Sequence, residues 1–522
     1  MASYGSYGSG MYERKLTIPS FSGIDQSRGL HSGDVGSSPD AVNFIARYGD
    51  LRTANGVSSY GVSVPESAYE SVNGRLFQGF FRDEKGNDFS KIIMALHGRL
   101  YVADINAGKW TAIAGNFATN DWSAVNYRDE LTEWVIFTNG KDQAQYWDGK
   151  SAAAFPLKIV QGKITETTID ESGKEIITIT NPGEELRFSK ITLLHERLWG
   201  GVAAEYPDRV YWSNTFDPED WELNFENSGD EGGGFLDIAT FDGSRIRAVI
   251  NAMDDVLIFK DKSLHRLSGT YPGEFAVTQV FGTEGTLAPR TIVCDGSSLY
   301  FLASDGFVKY NGMEAAPLSA AGDRKLKDIW ARINDSTIDT ACAVLKDNVI
   351  YLAVPLDGSI INTHVIEYHL LDGSYSIIEL PGVDDWLLLR EGQDETLLFL
   401  SERQLYRYDS GYTFYDGSPI TAVWTSPMIS CGSIASRKQT GRVYLSVTAQ
   451  SLDVNKNPQI KLTMLSGGKE RTKVINLKSG LNEIRKRVKI RGRMFRFRIE
   501  NVDGNPLTIH RGIEIHIEED YD

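Results

Sequence analysis

Short apolar runs recur along most of the chain, each opened by a polar residue and closed by a turn. Arg99-Leu-Tyr-Val-Ala, Glu133-Trp-Val-Ile-Phe, Arg197-Leu-Trp-Gly-Gly, Asp255-Val-Leu-Ile-Phe, Ser298-Leu-Tyr-Phe-Leu, Asn348-Val-Ile-Tyr-Leu and Glu395-Thr-Leu-Leu-Phe-Leu share this shape. Such runs have strand length and strand composition. Several are followed by a second aromatic strand and a turn, as in Gln145-Tyr-Trp-Asp-Gly, Lys309-Tyr-Asn-Gly, Glu367-Tyr-His-Leu-Leu-Asp-Gly and Leu405-Tyr-Arg-Tyr-Asp. Eight Asp-Gly and four Asn-Gly pairs punctuate the chain, and these dipeptides accept the positive φ angles that tight turns demand. One short stretch, Asp323 to Ile333, has helical spacing instead, with Leu326, Ile329, Trp330 and Ile333 in phase.

The spacing of the runs carries the architecture. With Leu100, Val135, Leu198, Val256, Leu299, Val349 and Leu397 as markers, the steps are 35, 63, 58, 43, 50 and 48 residues. A four-stranded propeller blade takes roughly 40–50 residues, so the pattern predicts an all-β chain built on an irregular β-propeller of about seven blades. A set of stacked sandwiches is the alternative. The propeller is expected over residues 74–418, with an insertion near 159–188 that accounts for the longest step. Residues 1–73 lack long apolar runs and are expected to form an extended N-terminal arm, flexible at 1–12, where the sequence is Gly, Ser and Tyr-rich.

Residues 419–522 differ in period and charge. Val443, Leu445 and Val447 alternate, as do Ile460, Leu462 and Met464, and Ile509, Ile513, Ile515 and Ile517 mark a two-faced strand. A C-terminal β-sandwich is predicted. Its basic run comprises Arg485, Lys486, Arg487, Lys489, Arg491, Arg493, Arg496 and Arg498, and the apolar phase flips near Gly492, where a turn or bulge belongs. From Pro419 to Asp522 there are 18 Lys and Arg against 10 Asp and Glu, a net of +8. The whole chain is at −16, so the remainder is at −24. An acidic body repels nucleic acid, while the basic run is expected to be a face for docking an acidic partner, the body of a neighbouring copy.

The chemistry expected from motifs is sparse. There is no GxxxxGK[ST] loop, no GxSxG elbow and no HExxH, so no catalytic residue, cofactor site or metal site is assigned and the chain is not expected to be an enzyme. His510 and His516 share a strand face with Glu514, but a solvated polar face explains them as well. Adjacent acids such as Asp217, Glu219 and Asp220, Asp254 and Asp255, or Asp384 and Asp385 would suit a glycosidase, yet with 70 acidic residues such neighbours arise by chance. Cys294, Cys342 and Cys431 are few and far apart, which fits folding in a reducing cytoplasm. No apolar run approaches an export signal or a membrane span.

Three stretches carry a further likeness. The first is Phe21-Ser-Gly-Ile-Asp-Gln-Ser with Ser38-Pro-Asp-Ala-Val-Asn-Phe and Tyr48-Gly-Asp-Leu-Arg. The second is Glu196-Arg-Leu-Trp-Gly-Gly with the stretch Asp208 to Trp221, in which Arg209, Tyr211, Trp212, Ser213, Asp217, Pro218 and Trp221 form the family-like motif, a strand and a turn closed by a buried Trp. The third is Trp424-Thr-Ser-Pro with Arg493-Met-Phe-Arg-Phe-Arg-Ile-Glu. Together these stretches resemble tail hub, nozzle and packaged-DNA stabilisation proteins of short-tailed bacteriophages, and the resemblance implies a structural virion protein that forms a ring, six copies in that family, below adaptor and portal-side tail proteins and beside tail fibres. It would continue the DNA channel, retain packaged DNA and let double-stranded DNA pass without holding it. Localisation in the virion tail, after assembly in the host bacterial cytoplasm, follows from the same likeness. The other reading is a receptor-binding or glycan-degrading propeller at the tail tip.

Overall fold

A computed structural model describes residues 12–520 except 29–32, 64–72, 106, 131, 170–174, 223–231, 239–240, 242, 282–284, 305, 319–323, 403, 409–410, 412, 414–416 and 454. The leader, residues 1–11, therefore lies outside the described residues. Among the described residues, the recurring apolar runs form seven four-stranded antiparallel sheets. Blade 1 opens with Arg75–Arg82, blade 2 with Ser123–Arg128, blade 3 with Phe188–Leu194 and blade 4 with Ile246–Ala252. Blades 5, 6 and 7 open with Val293–Cys294, Cys342–Lys346 and Asp385–Glu391.

Blade-to-blade cores join these sheets into a ring. Ile93, Leu100 and Phe137 link blades 1 and 2. Ile136, Leu198 and Tyr211 link 2 and 3, and Trp199, Val256 and Ile258 link 3 and 4. Phe259 and Phe301 link 4 and 5, Leu302 and Leu352 link 5 and 6, and Tyr351 and Phe399 link 6 and 7. Met94 and Leu398 then join the seventh blade to the first. The opening strands of most neighbouring blades touch each other, which places them at the axis. This is the irregular seven-bladed β-propeller expected from the spacing. The marker Leu100 falls on the third strand of its blade and the others on second strands, so the first step of 35 is short.

The turns use the expected dipeptides differently. Asn139, Asp148, Asp295 and Asn311 accept the N–H groups two and three residues on through their side chains, capping loops rather than tight hairpins. The two-residue turns after several opening strands are instead His195-Glu196, Met253-Asp254 and Asp347-Asn348, all with positive φ.

The stretch before Gly74 is woven into the sheets. Val57–Ser63 pairs with Gln404–Tyr408 as the outer strand of blade 7, so the N-terminal region supplies the closing strand of the ring. Tyr12–Ile18, Phe44–Arg47 and Asp50–Thr53 join Arg437–Ala449, Gly480–Arg487, Arg491–Gly492, Leu507–Ile509 and Ile513–Asp520 in an eight-stranded sheet. A second sheet of Ala422–Thr425, Gln459–Ser466, Lys469–Asn476 and Arg496–Asn501 packs against it. This sandwich shares its core with blades 5 and 6. Asn43 fastens the three parts: its N–H donates to Ile377, its side-chain amide donates to Thr421, and its amide oxygen accepts from Glu379. The insertion is a hairpin, Val160–Ile169 with Glu175–Glu185, anchored at its base where Val160 bridges Asp220 and the Gly162 N–H donates to the Glu222 carboxylate. No helix among the described residues is long and apolar enough to cross a membrane.

Candidate functional site

Two polar features stand out, one on the sandwich and one on the propeller axis. On the sandwich, among the described residues, Gly480–Arg487 and Arg491–Gly492 pair on one side only, with Arg437–Ala449, and Lys469–Asn476 pairs only with Gln459–Ser466. Two free sheet edges thus lie consecutively in the chain. Arg485, Lys486, Arg487, Lys489, Arg491 and Arg493 are exposed along them, as are Lys469, Arg471 and Lys473. A cleft of about 500 Å³ lies between the edges, lined by Lys469, Arg471, Lys489 and Arg491 with Glu470 and Gln439. Charge on an edge keeps it from pairing with an arbitrary strand and selects acidic partners.

Two of the eight basic positions belong elsewhere. At Gly492 the chain crosses from one sheet to the other, which is the physical basis of the flip in apolar phase. Arg496 and Arg498 are half-buried on the four-stranded sheet. Arg496 donates to the Ser426 carbonyl and pairs with Asp40 at 3.3 Å, and Arg498 donates to the Thr425 hydroxyl. The eight residues therefore do not share one face.

The family-like motif is structural throughout. Arg209–Trp212 is the third strand of blade 3. The Arg209 guanidinium lies 3.7 Å from the centre of the Phe235 ring and 2.7 Å from Asp237. Tyr211, Trp212 and Ser213 are buried. Asp217 accepts the N–H groups of Glu219 and Asp220, and the Trp221 indole donates to Pro218 and packs on Phe188. Of the other acids, Asp254 pairs with His195 and Asp255 with Arg266. His510 bonds Thr448 and approaches Asp50, while the His516 ring packs on Tyr444.

The second feature was missed by motif reading. Arg75 and Asp385 stand on the opening strands of blades 1 and 7, Lys190 and Arg247 on those of blades 3 and 4. Asp121, Arg245, Arg290 and Asp339 sit just before the opening strands of blades 2, 4, 5 and 6. Every one is at the chain's entry into the innermost strand, so the set converges at one end of the axis around a cleft of about 450 Å³. Asp121 pairs with Arg75 and, at 3.5 Å, with Lys190. Arg290 pairs with Asp385 at 3.1 Å, and Arg247 with Asp261. Burial opposes ionisation of Asp121, but Arg75 and Lys190 outweigh it and hold the carboxyl well below its usual range. Burial lowers the Lys190 ammonium, with Asp121 opposing. Burial also pushes Asp384 up to about 6 and raises Asp385 in spite of Arg75. The signal was diffuse because these residues are spread over some 300 positions and come together only when the ring closes.

No family model matches the chain, and no curated protein matches it. Among solved structures, the major allergen Mala s 1 of Malassezia sympodialis aligns at 12% identity over 56% of this chain and 96% of its own, with a TM-score of 0.30. An exo-β-1,3-galactanase of Phanerochaete chrysosporium, solved with galactose, aligns at 10% identity over 69% and 100%, with a TM-score of 0.23. YCF48 of Cyanidioschyzon merolae aligns at 9% identity over 66% and 97%, with a TM-score of 0.28. Likeness at this level carries no argument about activity.

Proposed function

We propose that this chain is a structural subunit of a bacteriophage tail, of the nozzle or hub kind. Copies dock head to tail into a ring that continues the DNA channel, retains packaged DNA and passes it at ejection. The observation that carries this reading is the free, cation-rich edge of the sandwich on a molecule whose remainder is strongly acidic. Unlike patches on one chain form a heterologous contact, and such contacts close into rings when the rotation permits. The resemblance of the three stretches supports the same reading, and adaptor, portal-side tail proteins and fibres are the further partners it implies. Electron microscopy of the purified protein and of the particle is the test. Rings are expected, and Arg485→Glu with Arg487→Glu should leave folded monomers. A wild-type protein that stays monomeric and is absent from particles overturns the proposal.

A second reading, a receptor-binding or glycan-degrading propeller, is favoured by the nearly fully exposed rings of Phe241 and Phe281, on loops that lead into blades 4 and 5. A glycan array with a hydrolysis assay separates the two: a hit lost on Phe241→Ala would replace the first reading.

A further inference from the structure

We propose that the axial cleft is a binding site for a small phosphate-bearing ligand. This stands apart from the ring, since it uses a recessed cleft at the propeller axis and different residues. Five cations line the cleft: Arg75, Lys190, Arg245, Arg247 and Arg290, against the carboxylates of Asp121 and Asp339. Further back, Asp385 and Asp261 pair with Arg290 and Arg247. Asp121 serves two cations at once, so positive charge remains in excess at the cleft wall. Arg75 and Arg290 are largely buried, and each keeps one N–H group, Nη1 and Nε, without an acceptor among the described residues. Buried guanidinium groups short of acceptors are costly, and negative charge in the adjoining cleft offsets part of that cost through their net charge.

The geometry selects the class of anion. The five cations come from four blades and surround the axis, whereas a planar carboxylate engages one or two guanidinium forks from its edge. A tetrahedral phosphate presents several oxygens in different directions, and arginine forks match it well. Thr119 accepts a backbone N–H through its hydroxyl oxygen, so its own proton can be donated, and the Asn73 side chain lies at the same rim. The cleft is larger than a bare phosphate and falls in the range of small-molecule sites. Arg245 is exposed, and Arg247 beside it is half-buried, so this pair is the accessible part of the cation set.

Isothermal titration calorimetry on the full chain tests the assignment, with ribose 5-phosphate, inorganic phosphate, ribose and citrate as probes at low salt. One phosphate-bearing probe should saturate at one per chain, ribose should give no heat, and citrate should bind at least tenfold more weakly. Tighter binding of the ester than of inorganic phosphate identifies a phosphorylated metabolite, and the reverse identifies the free anion; both sustain the site. Arg245→Ala with Arg247→Ala should weaken binding at least tenfold without moving the thermal midpoint. If the double variant is unstable, Arg245→Ala alone, at an exposed position, must still weaken binding several-fold. No heat from either phosphate probe, citrate binding as tightly, or unchanged affinity in the variants overturns the proposal.

Discussion

Asp384 is almost inaccessible, and its Oδ2 has no hydrogen-bond partner among the described residues. Burial is the main reason its carboxyl rises to about 6, against backbone N–H groups of Glu402 and Asn73 that favour the charge. In the unfolded chain an Asp titrates near 3.9. Between those values the folded state holds a proton that the unfolded state has lost, so stability falls as pH rises through this window, by up to about 3 kcal/mol in all. Asp384→Asn should therefore stabilise the protein by about 1–3 kcal/mol at pH 7.5 and lose that advantage below about pH 4. Urea unfolding at the two pH values checks it; a gain that grows on acidification refutes it. At this scale, the burial of Trp221 was legible through the resemblance of its stretch, which carries a turn closed by a buried Trp. Arg75 and Lys190 were not, because nothing local distinguishes a cation destined for the axis from one on the surface.

The strand Val57–Ser63 has a weak pattern of its own, with Ser58, Ser59 and Gly61 among its residues. Its place is fixed by the unpaired edge of Gln404–Tyr408, which it covers with Tyr406 opposite Ser59 and Tyr408 opposite Val57. A chain shortened to begin at Gly74 loses that strand and three strands of the sandwich, leaving edges open. Its thermal midpoint should drop by at least about 5 °C, with aggregation on heating. The inserted hairpin is the contrasting case, because it belongs to no blade. Joining Gly162 to Gly183 through an Asn-Gly turn should shift the midpoint by less than about 2 °C. Differential scanning calorimetry of both variants decides whether the closing strand and the insertion differ in this way. The hairpin was legible from its interruption of the blade spacing; the closing strand was not, since its partner lies over 300 residues away.

For the whole molecule the governing quantity is the separation of charge, +8 in residues 419–522 against −24 in the remainder. Screening shortens from about 10 Å at 0.1 M salt to about 3 Å at 1 M, so contacts between such patches weaken with ionic strength. Rings should therefore give way to monomers between about 0.1 M and 1 M NaCl, as measured by sedimentation velocity. Assembly insensitive to salt would point to an apolar interface instead. Within the molecule, Trp424 and Phe21 pack edge to face at 5.1 Å in the core shared by arm, sandwich and blades, so these parts hold one another in place.

Periodicity, turn residues and charge are additive along a chain, and by themselves they determined the all-β class, the blade count, the inserted hairpin and the basic C-terminal sandwich. Convergence is not additive. Only the tertiary structure decided that the N-terminal region closes the seventh blade, that the basic run divides between two sheets at Gly492, and that charges from all seven blades meet at one end of the axis. Each depends on distances between residues far apart in sequence, and those distances are set when the ring of blades closes.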